Sequence, residues 1–214
     1  MISNHSIEFF DRQFERQVRE HDLALNPFEL AALPHLHGRV LDLGCGMGNL
    51  AVSAARRGCS VLALDASPAA IDHLSGVAAA EKLDIQARQE DLRRYTIAGD
   101  FDTIVAIGLL MFFDCPNARR SLADIQAHVS EGGTAIVNLL VEGTTYLDMF
   151  DAASHCLFAR SELADSFAQW EVMHSEISDF EAPGARVKSF ATLIARKPRA
   201  GRAAQWQSKE FNAL

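Results

Sequence analysis

The chain has 214 residues, 49% of them hydrophobic and 22% charged, with a formal net charge of −8. That length builds one domain around one sizeable core and crowds out a second. The acidic balance argues against a nucleic-acid partner, which needs a basic face, and no apolar stretch approaches the roughly 18 residues of a membrane span.

Ile7, Phe10, Phe14 and Val18 recur at helical spacing, so Ser6 to Glu20 is expected to be an amphipathic helix. Asn26 followed by Pro27 opens a second, short helix. Arg39 to Leu43 is a short apolar run ending in glycines, the pattern of a buried strand. A helix from Asn49 to Arg57 and a strand from Ser60 to Leu64 follow, and Ser67-Pro68 starts the next helix with an N-cap and a proline in its first turn. Strands are expected at Ile85 to Gln89 and Asp102 to Ile107, a helix from Pro116 to His128, and a Gly132-Gly133 turn into a strand at Thr134 to Leu140. Strands alternating with helices imply crossover units and a mainly parallel sheet.

The end of the chain breaks this rhythm. After a loop and short helix within residues 143–167, two extended runs, Glu171 to Phe180 and Arg186 to Arg196, flank a turn signal at Pro183-Gly184. They form a hairpin, so one strand must oppose the sheet. The last run is apolar on both faces, which makes it internal and places it between the fifth and sixth strands. The expected organisation is one domain over residues 1–198, with a helical cap at 1–35, a substrate-side insertion at 143–168 and a polar tail at 199–214. The cysteines at 45, 59, 115 and 156 form no CxxC pair. Their spacing suggests neither a disulfide framework nor a zinc site, so reduced thiols in a cytoplasmic protein without metal are the simplest reading. No signal peptide is expected.

Gly44, Gly46 and Gly48 follow a strand and precede a helix, where the chain must turn tightly and leave room for a ligand against its backbone. This is a nucleotide-type site at the carboxyl end of a strand. Asp65 ends the second strand and can accept both ribose hydroxyl protons, since Ser67 already suits the helix cap. Asp91 follows the third strand and can meet an adenine amino group, although a plain surface acid is equally compatible. A dinucleotide is disfavoured because its fingerprint needs a third glycine where Asn49 stands. Asp42 suits the amino group of a methionine-like tail and would sit poorly beside a pyrophosphate.

Five ordered motifs resemble the class I S-adenosylmethionine-dependent methyltransferases. They are Val40-Leu-Asp-Leu-Gly-Cys-Gly-Met-Gly48, Val61-Leu-Ala-Leu-Asp65, Gln89-Glu-Asp-Leu92, Phe101-Asp-Thr-Ile-Val-Ala106 and Glu131-Gly-Gly133. The resemblance implies a Rossmann-like α/β fold whose seven-stranded, mostly parallel sheet has the order 3-2-1-4-5-7-6, an antiparallel last strand and helices on both faces. Leu110-Met-Phe-Phe113, Ser161-Glu-Leu163, Arg186-Val-Lys188 and Phe190-Ala-Thr192 are similar to the bacterial tellurite-resistance methyltransferases. Those proteins carry a His-Arg pair before the last strand, where this chain reads Ser178-Asp-Phe-Glu-Ala-Pro-Gly184. That departure puts tellurite in doubt and leaves a thiol, a chalcogen oxyanion or another small metabolite as acceptor.

The resemblance implies S-adenosylmethionine as cofactor, held by Asp42, Gly44, Cys45, Gly46, Asn49, Asp65, Ala66, Asp91, Leu92 and Ile107. It implies direct displacement by a small-molecule nucleophile, with the protein a monomer or homodimer. Phe112 and Phe113, which follow the fourth strand, are substrate-pocket candidates or core. His155, Cys156 and Arg160 in the insertion are weaker candidates for a base or an anion contact, and His174 is expected to be structural. The rival reading is a non-catalytic S-adenosylmethionine-binding regulatory module.

Overall fold

The computed structural model describes residues 24–150 and 154–200 together with Phe14. The helix expected from Ser6 to Glu20 therefore lies outside the described residues, Phe14 excepted, as do residues 201–214 of the tail.

Helix α1 (Pro27–Ala32) leads to β1 (Arg39–Leu43), α2 (Asn49–Ala55), β2 (Ser60–Asp65), α3 (Pro68–Glu81), β3 (Ile85–Gln89) and β4 (Phe101–Ile107). Then come α4 (Cys115–His128), β5 (Val129–Leu140), α5 (Glu162–Ser166), β6 (Glu171–Ala182) and β7 (Arg186–Arg196). The helix starts follow the local chemistry. Asn26 and Glu29 form a capping box, Ser67 caps α3 by accepting from the Ala70 N–H, and Asp114 caps α4 by accepting from the Asn117 N–H.

The seven strands lie in the order β3-β2-β1-β4-β5-β7-β6. β7 runs antiparallel to both β5 and β6, and the pairs β1–β2, β1–β4, β2–β3 and β4–β5 are parallel. Strand periodicity divides the core between the two faces. Leu41, Ile104, Ala106, Val137 and Leu193 pack on one side, and Val40, Val105, Ile136 and Ile194 on the other. The first group meets Leu122 and Ile125 of α4, and the second meets α2 and α3 through Leu50, Ala54 and Leu74. Burial on both faces is why β1, β4, β5 and β7 read as continuous apolar runs.

Two expectations are corrected. Gly132-Gly133 lies inside β5 rather than before it. Phe101 pairs with Val129 and Thr103 with Thr134, so extra β5 residues loop out of the ladder. A Cβ on Gly133 would stand 2.7 Å from the Asp102 carbonyl oxygen, and only glycine permits that approach. The cysteines also differ from expectation. Cys115 and Cys156 are joined in a disulfide, while Cys45 and Cys59 are free and buried. Spacing could not show this bridge, because its halves are 41 residues apart and meet only when the insertion returns to the start of α4. The Cys156 N–H donates to the Met111 carbonyl at 3.0 Å, fixing that return. Among the described residues no helix is long and apolar enough to cross a membrane.

Candidate active site

The glycine loop leaves β1 and is pinned by its neighbours before any ligand is considered. The Gly44 and Cys45 N–H groups both donate to the Leu64 carbonyl, at 2.8 and 3.0 Å. Asp65 Oδ2 accepts from the Gly46 N–H and Oδ1 from the Ser67 N–H, each at 2.9 Å. One carboxylate thus ties the loop to the start of α3. Gly46 has φ +52°, and a Cβ there would lie 3.3 Å from the Phe14 ring. Gly48 has φ +78°, and its Cβ would meet the Leu74 side chain at 2.5 to 2.9 Å. The first glycine opens space over the loop, and the second lets α2 close onto α3.

The loop forms one wall of a cavity of about 470 Å³ at the carboxyl ends of β1, β4 and β5. Its size is that of a pocket for a cofactor-sized ligand. On the loop side it is lined by Asp42, Gly44, Gly46, Asn49, Asp65 and Ala66. Asp91, Leu92, Ile107, Phe112 and Phe113 line the remainder of the expected site. Asp91 is exposed and ion-paired to Arg93 at 3.1 Å. Phe112 stacks at a tilt on Phe150, with ring centroids 5.0 Å apart, while Phe113 is 3% exposed and belongs equally to the core.

Four of the expected residues, Cys45, His155, Cys156 and Arg160, are not brought there. The Cys45 side chain is buried in the core on the α2–α3 face, and its thiol contacts the Gly46 carbonyl. His155 stacks on Phe150 at 5.0 Å between centroids, and Arg160 is exposed and donates to the Glu142 carbonyl at 3.4 Å. Neither lines the cavity. Cys156 is taken by the disulfide. His174 faces Glu176 on β6 at 3.5 Å and does not line the cavity.

The cavity also contains residues that sequence reasoning missed. Glu29 and Phe28 reach it from α1, Asn138 from β5, Met149 from the insertion, and Lys188 and Phe190 from β7. The α1 pair carried no motif. The β7 pair is reached only through strand direction: β7 is antiparallel, so its first residues, not its last, meet the carboxyl end of β5.

Asp42 dominates the electrostatics. It is 4% exposed, and no hydrogen bond to its carboxylate is present among the described residues. Burial, and then the nearby Glu29 and Asp65 carboxylates, push its pKa up to about 8. Burial likewise raises Glu29. The Cys45 thiol is held in its neutral form by burial and by Asp42 and Asp65. Crowded acids of this kind favour a cationic ligand. No group of three or more metal-binding side chains occurs among the described residues.

Similarity to known proteins agrees with this geometry. Residues 40–133 match the family model of a methyltransferase domain. Hemagglutinin 1 of Eikenella corrodens is 32% identical over 170 residues, covering 75% of this chain and 55% of its own length. A Haemophilus influenzae protein named as the probable S-adenosyl-L-methionine-dependent methyltransferase TehB is 28% identical over 166 residues, 74% of this chain and 57% of its own. The chain thus spans little more than half the length of these curated relatives. The crystal structure of Haemophilus influenzae TehB superposes with a TM-score of 0.71 at 23% identity, covering 81% of this chain and 63% of that one. The matched segment starts on β1, runs through the glycine loop and ends at Gly133, so it contains the loop, Asp65 and Asp91 that build one side of the cavity: residues 40–133 match a methyltransferase domain, and the chain resembles TehB in sequence and fold.

Proposed function

We propose that the chain binds S-adenosylmethionine in this cavity and transfers its methyl group to a small-molecule nucleophile. The observation that carries the reading is Asp42, a buried carboxyl beside the glycine loop with no hydrogen-bond partner among the described residues and a pKa pushed up to about 8. A cation entering beside it is attracted to the ionised form, and S-adenosylmethionine carries an ammonium and a sulfonium. A pyrophosphate would meet repulsion from Asp65 and from the ionised form of Asp42. In this reading Asp65 takes the ribose hydroxyls and Asp91 the adenine amino group. Leu92 and Ile107 flank the base, while Gly44, Gly46, Asn49 and Ala66 supply close backbone and side-chain contact.

The cofactor supplies a methyl group on a positively charged sulfur. The chain aligns and dries the site around it. Holding two reactants in line contributes up to about 7–11 kcal/mol. Phe112 lines the cavity, and an aromatic face near a sulfonium adds about 0.5–2 kcal/mol. Phe14, whose ring lies over Gly46, covers the loop side and belongs to the proposed N-terminal cap. The cavity volume of about 470 Å³ favours a small acceptor once a cofactor is present.

The test is adenosylhomocysteine production with a panel of thiols, phenols, amines and chalcogen oxyanions, run beside calorimetric binding of S-adenosylmethionine. Binding with product supports the reading. Binding without product across the panel leaves a cofactor-binding module, and absence of binding removes both.

A further inference from the structure

Two groups in the cavity have no task in holding the cofactor. Asn138 is fully buried in β5. Its Nδ2 donates to Thr192 Oγ1 at 2.9 Å, and its Oδ1 has no hydrogen-bond partner among the described residues. A buried acceptor without a partner is uncommon, and this residue lines the cavity. Lys188 also lines it, partly buried, with Nζ 4.7 Å from the centre of the Tyr146 ring and no carboxylate within ion-pair distance among the described residues. Its neighbour Arg186 contrasts with it: that guanidinium is held by both oxygens of Asp148, at 2.6 and 2.8 Å. Lys188 is thus a cation in a cavity wall without a counter-ion among the described residues. Burial lowers its pKa with nothing to offset it.

Strand geometry fixes how the two relate. Asn138 pairs with Thr192, and Lys188, Phe190 and Thr192 alternate along β7 on one face. Four residues of strand separate Thr192 from Lys188, about 13 Å between backbone positions. Phe190 stands between them, packed against Phe28 with centroids 4.9 Å apart. The surface therefore reads as an acceptor oxygen, an aromatic wall and a cation in sequence.

We propose that Asn138, Phe190 and Lys188 form the acceptor half of the cavity, and that the methyl acceptor is a small aromatic-sized organic anion bearing a hydroxyl or amino nucleophile. The anionic end meets Lys188, the ring lies on Phe190, and the nucleophile's O–H or N–H donates to Asn138 Oδ1. That bond turns a lone pair of the nucleophile toward the cavity. In the transfer, the lone pair forms the new bond to the methyl carbon, the C–S pair leaves with sulfur, and the nucleophile's proton is released to solvent. This inference rests on the cofactor reading above.

The experiment measures binding of 4-hydroxybenzoate, 4-aminobenzoate and their methyl esters to the protein loaded with adenosylhomocysteine, for wild type, Lys188→Met, Lys188→Arg and Asn138→Asp. Adenosylhomocysteine affinity is measured on each protein first. The expected result is at least a tenfold preference for acid over ester in the wild type. Lys188→Met abolishes the preference, Lys188→Arg restores most of it, and Asn138→Asp weakens both acids by tenfold or more. Cofactor-product affinity changes less than threefold throughout. Where the acids are methylated, the Lys188→Met loss appears in KM more than in kcat. The inference is overturned by equal binding of acid and ester, by no binding of either to loaded protein, or by a Lys188→Met variant that loses adenosylhomocysteine tenfold, which would assign Lys188 to the cofactor carboxylate. Failure of the wild type to bind adenosylhomocysteine at all would instead sink the cofactor reading.

Discussion

Replacing Asp42 by Asn keeps the side-chain shape and removes the titrating group, so it isolates the feature on which the cofactor assignment stands. With a pKa of about 8, the carboxyl is ionised in about one molecule in eleven at pH 7 and about one in a hundred at pH 6. If the cofactor's cations require the ionised form, S-adenosylmethionine affinity in the wild type rises close to tenfold from pH 6 to pH 7 and levels off near pH 8. Above that, the ligand's own α-amino group loses its proton, with an ordinary pKa of about 8. Asp42→Asn removes the rising limb and weakens binding at pH 8 by about tenfold or more. Stability moves the other way. The folded pKa lies above the unfolded value of about 4, so the native state holds the proton across that window. Wild-type stability without ligand therefore falls as pH rises from 4 to 8, on the order of 1 kcal/mol per pH unit, and the Asn variant lacks this loss. Calorimetry from pH 6 to 8.5 in buffers of different ionisation heat measures both the slope and proton release. A flat wild-type profile, or the same slope in Asp42→Asn, would refute the reasoning.

Other outcomes follow from the same geometry. Cys115→Ser with Cys156→Ser removes a cross-link closing a 41-residue separation, which lowers stability by up to about 4 kcal/mol in denaturant titration. Unreduced, denatured wild type should show two reactive thiols, those of Cys45 and Cys59, and a count of four would contradict the pairing. Gly48→Val places a branched side chain at φ +78° against Leu74, so the thermal midpoint should drop markedly, while an unchanged midpoint would mean that α2 and α3 move apart freely. Asp65→Asn keeps only part of the hold on the Gly46 and Ser67 N–H groups and the ribose; cofactor affinity is expected to fall at least tenfold, and equal affinity would remove Asp65 from the site.

The sheet was legible because each buried strand writes its environment into an apolar run, because Pro183-Gly184 forces a hairpin that sets one strand against the sheet, and because the two apolar faces of β7 require an internal place. The loop side of the cavity was legible for a related reason: Gly44, Gly46, Asp42 and Asp65 are local to the ends of two adjacent strands. The acceptor side is assembled from distant pieces. Asn138 and Thr192 meet across 54 residues, and Lys188 enters only through the reversal of β7. Neither has a neighbour in sequence that signals its place. The disulfide was hidden for the same reason, since loop return and not spacing brings Cys156 to Cys115. His155 and Arg160 were chosen for chemistry and chain position alone, and the structure engages them elsewhere, His155 on the Phe150 ring and Arg160 on the Glu142 carbonyl.

The most direct measurement of the central claim is calorimetric titration of the protein with S-adenosylmethionine and, separately, with NAD at pH 8. The cavity built around Asp42 and the glycine loop predicts one site for S-adenosylmethionine, competed by adenosylhomocysteine, and no measurable heat with NAD. Saturable binding of NAD without binding of S-adenosylmethionine would contradict it.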